Sequence, residues 1–203
     1  DRPSLSYGML QELSNNVINR LNIFGIGRGD RVAIVLPNGP EMASAFVTVA
    51  CAATTAPLNP DYKAEEFEFY LEDLKAKALI VEKGSTSPAV EIARKLGVKV
   101  IELVVPDNAA AGYFELAGEA GGIATSPGPA EAEDVALILH TSGTTSRPKI
   151  VPLSHRNVSA SARNIARSLA LTPEDKCLNI MPLFHIHGLI AAVLSSLEAG
   201  ASV

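Results

Sequence analysis

Short apolar runs alternate with amphipathic helical patterns along most of this chain. The apolar runs predict buried strands at residues 31–37, 78–81, 98–105, 135–139 and 178–181. The intervening patterns predict helices over residues 39–53, 63–75 and 87–97. Strands that are apolar on both faces and separated by helices are typical of a parallel sheet covered on both sides. The sequence therefore predicts an α/β fold, with an open, mainly parallel sheet and helices on both faces.

Residues 106–134 interrupt this rhythm, because they are rich in Gly, Ala and Pro. Tyr113, Phe114 and Leu116 are the plausible apolar anchors of the stretch. We interpret it as a surface excursion that contains one short helix. A domain boundary is the alternative, but the alternation of strands and helices resumes unchanged after residue 134.

Charge and hydropathy exclude several classes of protein. The 203 residues include 17 basic and 22 acidic side chains, a net charge of −5, which argues against nucleic acid as a partner. No uninterrupted apolar run reaches the length of about 18 residues that a membrane span needs. Cys51 and Cys177 lie in apolar stretches, where reduced core thiols are expected rather than a disulfide. Reduced cysteines favour a cytoplasmic location.

The segment after the strand at 135–139 has the composition of an anion-binding loop. Five consecutive small residues, four of them with hydroxyls, follow His140: Thr141, Ser142, Gly143, Thr144 and Thr145. Gly143 lets the backbone approach a ligand closely, and successive N–H groups can bind an anion. Lys149 adds a point charge suited to a phosphate. The alternative is an ordinary Ser/Thr-rich surface turn. We favour phosphate binding because the loop follows the most apolar strand and precedes a helix.

These residues resemble a known family. The run Ser-Gly-Thr-Thr-Ser-Arg-Pro-Lys at 142–149 is similar to the phosphate-binding signature of the adenylate-forming (AMP-binding) superfamily. That superfamily includes acyl-CoA synthetases such as 4-coumarate–CoA ligases. Other stretches agree with the family in the same order, at residues 5–10 (Leu-Ser-Tyr-Gly-Met-Leu), 31–37, 56–60 (Ala-Pro-Leu-Asn-Pro) and 182–188 (Pro-Leu-Phe-His-Ile-His-Gly). Ser146, where the family usually has Gly, together with His-x-His-Gly downstream, resembles the oxalate–CoA ligase branch.

The resemblance implies an ATP-dependent acyl-CoA synthetase. Such an enzyme activates a small-molecule carboxylic acid as acyl-AMP and transfers the acyl group to coenzyme A, with Mg²⁺ accompanying ATP. Two alternatives stay open: an adenylation domain that loads a carrier protein, and a non-catalytic nucleotide-binding module. A kinase-like phosphotransferase is disfavoured, because its loop and acidic metal ligands are missing from the sequence.

The resemblance also implies roles for individual residues. Residues 141–145 and Lys149 would hold the β- and γ-phosphates of ATP, and Lys149 and His185 are the catalytic candidates. His185 would lie near the reacting carboxylate. His187 and Gly188 would line the acid pocket, where His187 could contact the second carboxylate of a small diacid. A histidine metal site is not expected, because metal sites need three or four ligands and His140 and His155 lack a suitable spacing.

The later motifs of the family, Tyr-Gly-x-Thr-Glu and Thr-Gly-Asp, are absent from the sequence. We therefore expect residues 1–203 to be the N-terminal portion of an AMP-binding domain. The remainder of that domain and the C-terminal lid domain would lie outside this chain. By itself the portion is expected to be inactive. A peroxisomal targeting signal at the C-terminus of the parent protein would direct it to the peroxisome instead of the cytoplasm.

Overall fold

A mostly parallel sheet organises the computed structural model, which describes residues 2–141 and 148–203. Within these residues the sheet has seven strands in the order β5-β4-β3-β1-β2-β6-β7. Strands β1 to β4 and β6 pair in parallel, whereas β5 and β7 pair antiparallel at the two edges. The strands are β1 (Arg31–Val35), β2 (Thr54–Pro57), β3 (Ala78–Glu82), β4 (Lys99–Val104), β5 (Glu115–Ala117), β6 (Val135–Thr141) and β7 (Lys149–Ser154).

Helices cover both faces of this sheet, which confirms the predicted fold class. The α-helices are α1 (Tyr7–Ile23), α2 (Pro40–Ala50), α3 (Ala64–Leu74), α4 (Pro88–Lys95), α5 (His155–Ser168) and α6 (Ser195–Glu198). A π-helix over His187–Leu194 precedes α6 directly. None of the described helices combines the length and the apolar character that crossing a membrane requires.

The apolar runs of the sequence correspond to strands that are buried on both sides. In β1, Val32 and Ile34 belong to a core shared with α1, α2 and α5. The alternate residues Ala33 and Val35 belong to a second core beneath α3 and α4. Successive side chains of a strand point to opposite faces, so a strand between two helical layers is apolar at every position. This explains why the strand could be predicted from its composition.

The structure corrects the prediction of a strand at 178–181. No strand is present there, and Leu178 and Ile180 are 86% and 83% exposed. Nearby, only an isolated bridge between Lys176 and Ser202 has formed among the described residues. An apolar run becomes a strand only where a neighbouring strand supplies its hydrogen bonds, and sequence alone does not identify that neighbour.

The predicted short helix within residues 106–134 is also wrong. The segment instead contributes the edge strand β5, whose Leu116 is buried together with Phe114. Both were predicted anchors. Farther along, Arg28 binds the segment through Asp134 (Nε to Oδ2, 2.7 Å) and Glu131 (Nη1 to Oε1, 2.6 Å). The stretch therefore runs from one edge of the sheet back to β6 while remaining attached to the core.

Candidate active site

The candidate site lies at the carboxyl edge of the sheet, where ligands of open α/β folds usually bind. β6 ends there at Thr141, and β7 starts there at Lys149. The two residues are direct partners in the antiparallel register, and both are exposed. The structure thus brings together the first and last members of the predicted phosphate site. The other predicted members, Ser142, Gly143, Thr144 and Thr145, lie outside the described residues.

One part of the sequence interpretation of this loop needs correction. We expected the loop to lead into a helix, but it connects β6 to β7, and α5 begins only at His155. Pro152 makes β7 hard to recognise, because proline lacks the N–H that a central strand would need. At the edge of the described sheet this missing donor is tolerated. Lys149 is consequently fixed by strand pairing beside Thr141.

His140 anchors the strand that carries the loop. Its Nε2 lies 3.0 Å from Asp73 Oδ2 on α3, and its side chain is only 7% exposed. Tyr70 meets the imidazole edge-on with ring centroids 4.6 Å apart, and Tyr62 stacks on Tyr70 at 4.8 Å. Burial lowers the pKa of His140, although Asp73 acts in the opposite direction. The neutral imidazole donates its Nε2 proton to the carboxylate and so ties the end of β6 to α3.

A second histidine, half-buried, lies away from this edge. His155, the first residue of α5, has its Nε2 3.0 Å from the carbonyl oxygen of Ala50. Burial lowers the pKa of His155 as well, while the hydrogen bond to Ala50 and the charge of Asp134 act in the opposite direction. Both His140 and His155 are therefore held neutral in the folded protein at pH 7.

We expect the free energy of unfolding to fall as the pH drops below about 6.5. The unfolded chain takes up protons on these two histidines at a higher pH than the folded chain, so acid favours unfolding. Carboxylates with lowered pKa values, such as Asp134 beside Arg28, lose their contribution only at lower pH, below their ordinary value of 3.8. Urea unfolding measured at intervals from pH 7.5 to 5 checks the expectation.

Two conservative variants provide the control for this prediction. His140→Gln and His155→Gln each retain a side-chain N–H donor without the titration. Each should make the pH dependence between 6.5 and 5 less steep, and the double variant should remove most of it. An equally steep profile in the double variant would mean that other groups control the acid sensitivity.

The other predicted site residues lie on the segment 182–188. Leu183 N–H donates to Asn38 Oδ1 at 2.9 Å, which brings the segment to the carboxyl end of β1. His185 N–H donates to Pro182 O at 3.2 Å and closes a turn. His187 N–H in turn donates to His185 Nδ1 at 3.3 Å. A neutral His185 therefore carries its proton on Nε2, and its exposed ring can donate a hydrogen bond to an anionic oxygen.

Close packing against Pro182 explains why residue 188 is a glycine. A Cβ at this position would lie 2.5 Å from Pro182 O, closer than real contacts allow. Gly188 is buried, whereas His185 and His187 are exposed. The chain can therefore fold the π-helix closely against the turn and still present both imidazoles at the surface.

The two halves of the candidate site lie on strands that are close in the sheet. β2 alone separates β1 from β6. Neighbouring strands are spaced by about 4.8 Å, which puts the carboxyl ends of β1 and β6 on the order of 10 Å apart. Within residues 2–141 and 148–203 no hydrogen bond joins Lys149 to His185. The two predicted halves of the site therefore belong to the same edge of the sheet.

Sequence reasoning missed the contact of Asn38 with the segment 182–188. The available signal was its place in Pro-Asn-Gly directly after a buried strand, at the edge where ligands bind.

The described residues contain no group of three or more His, Cys, Asp or Glu side chains that could hold a metal ion.

Comparisons with known proteins agree with this geometry. A family model described as "AMP-binding enzyme" matches residues 1–203. Oxalate–CoA ligase of Arabidopsis thaliana is 41% identical over 98% of this chain and 40% of its own length. Oxalate–CoA ligase of Saccharomyces cerevisiae is 43% identical over 87% of this chain and 37% of its own. ATP-bound MatB from Rhodopseudomonas palustris superposes on 100% of this chain and 42% of its own, with a TM-score of 0.79 and 29% identity. The chain thus spans about two fifths of the length of these proteins.

Proposed function

The chain belongs to the AMP-binding enzyme family, and from this premise we propose that it is the N-terminal portion of an ATP-dependent acid–CoA ligase. The observation that carries the proposal is the pairing of Thr141 at the end of β6 with Lys149, together with the hydrogen bond from Leu183 to Asn38 that ties the turn bearing His185 to the loop after β1. In this proposal, one site on this edge would supply Lys149 as a cation for phosphates and His185 as a hydrogen-bond donor for a carboxylate.

The proposed reaction has two steps. A carboxylate oxygen of the acid attacks the α-phosphorus of ATP, and pyrophosphate leaves with the electrons of the broken P–O bond. The sulfur of coenzyme A then attacks the acyl carbon of the acyl-AMP, and AMP leaves as the thioester forms. The thiol proton is released to water or to a base. Mg²⁺, arriving with ATP, would neutralise part of the triphosphate charge.

The residues of this chain would reduce the repulsion between two anionic substrates. Lys149 would place its charge on the β- and γ-phosphates and so stabilise the developing pyrophosphate. The hydroxyl of Thr141 and the loop residues after it would supply further donors. The His185 Nε2–H would orient the attacking carboxylate. Holding both reactants in line converts a reaction between two repelling anions into one within a single complex.

The acid we propose is a small dicarboxylate of the oxalate class. Support comes from the 41% and 43% identity to two oxalate–CoA ligases. His187, exposed beside His185, would bind the second carboxylate. A site with donors for two carboxylates should favour a dicarboxylate, because an acid with a single carboxylate leaves the second donor without a partner on the substrate.

The proposal is tested by supplying the full-length protein with ATP, Mg²⁺, coenzyme A and a panel of acids. We expect acid-dependent AMP release, with kcat/KM for oxalate or malonate at least about 10-fold above that for acetate or 4-coumarate. The 203-residue chain alone should show no ATP–pyrophosphate exchange. Exchange without transfer to coenzyme A would favour an adenylation domain that loads a carrier protein. ATP binding without any exchange would favour a non-catalytic module.

A further inference from the structure

We propose that Asn38 is a positioning residue of the acid site, which holds the turn bearing His185 against the sheet through a single side-chain hydrogen bond. The inference rests on the proposed function, because it assigns Asn38 to the half of the site that orients the carboxylate. Asn38 contacts the turn and does not contact the reacting atoms.

The contact joins two distant parts of the chain. Asn38 Oδ1 accepts the hydrogen bond of Leu183 N–H at 2.9 Å, across a separation of 145 residues. Leu183 is two residues before His185, so a displacement of the Leu183 backbone also displaces the imidazole of His185. The bond is directional and therefore restricts how the turn can rotate as well as where it lies.

The other described hydrogen bonds of the turn do not connect it to the sheet. The hydrogen bonds from His185 N–H to Pro182 O and from His187 N–H to His185 Nδ1 are internal to the segment. The side chain of Leu183 is 5% exposed and packs into the core shared with α1 and α2, but apolar packing is not directional. Among the hydrogen bonds of the described residues, the one to Asn38 alone connects residues 178–188 with the sheet and its loops.

Asn38 is itself placed on a rigid support. It follows β1, the central strand, whose residues from Val32 to Val35 are buried. Pro37 precedes it with a fixed φ, and Pro40 begins α2 two residues later. A short loop between two prolines changes shape little, so the carboxamide can act as a fixed reference point for the turn. Asn38 is exposed, as expected of a side chain that serves a segment at the surface and not the core.

The inference predicts that loss of the Asn38 oxygen affects the acid more than ATP. In the full-length enzyme, Asn38→Ala should lower kcat about 10-fold and raise the KM for the acid by a similar factor, as a loosened reactant orientation would. The KM for ATP should change less than about 2-fold, because Lys149 and Thr141 are held by the separate β6–β7 pairing. Steady-state kinetics with each substrate varied in turn measures the split.

Two further variants separate positioning from a general structural role. Asn38→Asp keeps an acceptor oxygen in the same place and should retain kcat within about 3-fold of the wild type at saturating acid, where repulsion of an anionic substrate no longer matters. Asn59→Ala is the matched control. Asn59 also follows a strand at this edge, but among the described residues its Oδ1 accepts from Asp61 N–H alone, within its own turn, so its loss should leave both KM values unchanged.

The outcomes distinguish failure of this inference from failure of the proposed function. If the wild-type enzyme shows no acid-dependent exchange, the proposed function fails. If the wild type is active and Asn38→Ala matches it, or raises both KM values equally, the assignment of Asn38 is overturned. It is also overturned if Asn38→Asp loses as much kcat as Asn38→Ala. Thermal unfolding accompanies each variant, and Asn38→Gln, which displaces the oxygen by one methylene, should lie between Ala and wild type if Asn38→Ala does not fold.

Discussion

Replacing Lys149 with Ala in the full-length protein should reduce ATP–pyrophosphate exchange by about 100-fold or more. Lys149 is exposed at the start of β7, directly opposite Thr141, so its ammonium can reach a phosphate bound at the end of β6. A charge fixed beside the leaving pyrophosphate stabilises the transition state more than the bound ATP. We therefore expect a larger effect on kcat than on the KM for ATP.

A lysine elsewhere on the same edge provides the matched control. Lys83 follows β3 directly and is exposed, but it lies three strands from β6, on the order of 15 Å away. Lys83→Ala removes the same charge and should leave the exchange rate within about 2-fold of wild type. Lys149→Arg, which keeps the charge in a different shape, should recover part of the activity. Unchanged ATP affinity and turnover in Lys149→Ala would refute the assigned role.

The second large effect is expected at His185. His185→Ala should lower kcat for acyl-AMP formation by about 100-fold, because the Nε2–H that orients the carboxylate is lost. His185→Gln restores a side-chain N–H donor at a similar reach and should recover part of this loss. Both variants should keep the wild-type unfolding temperature, since the ring is exposed and its described hydrogen bond comes from its own turn.

His187 provides the comparison for this second prediction. It begins the π-helix directly after the turn of His185 and is also exposed, but we assign it to the second carboxylate of a diacid. His187→Ala should therefore raise the KM for oxalate about 10-fold and have little effect on the slow turnover of acetate. If the two histidine variants show the same profile with every acid, the division of roles between His185 and His187 is wrong.

Much of the fold could be predicted because it depends on local patterns. β1, β3 and β6 are apolar at nearly every position, since the sheet is covered on both sides. The edge strands were missed for the opposite reason. β5 has three residues, and β7 contains Pro152, so neither has the pattern of a buried strand. Their pairing is set by the neighbouring strand and not by their own composition.

The candidate site likewise has features that local sequence patterns predict and features that only the tertiary structure shows. The roles that we propose for Thr141, Lys149, His185 and His187 could be predicted from the residues and their resemblance to a family, because phosphate and carboxylate recognition needs particular side chains at close spacing. The role of Asn38 was not visible, because its partner Leu183 is 145 residues away. Gly188 was assigned to the acid pocket from its motif, whereas the structure shows a tight approach to Pro182 O.

By itself, then, the sequence determined the α/β class, the strands β1, β3, β4 and β6, and the family, all of which depend on periodicity or on short contiguous motifs. Only the tertiary structure decided that the predicted phosphate loop connects two antiparallel strands, that residues 178–181 form no strand, and that Asn38 Oδ1 accepts the N–H of Leu183. The physical reason is common to all three. Each depends on which hydrogen-bond donor meets which acceptor across the fold, and a linear pattern does not specify that pairing.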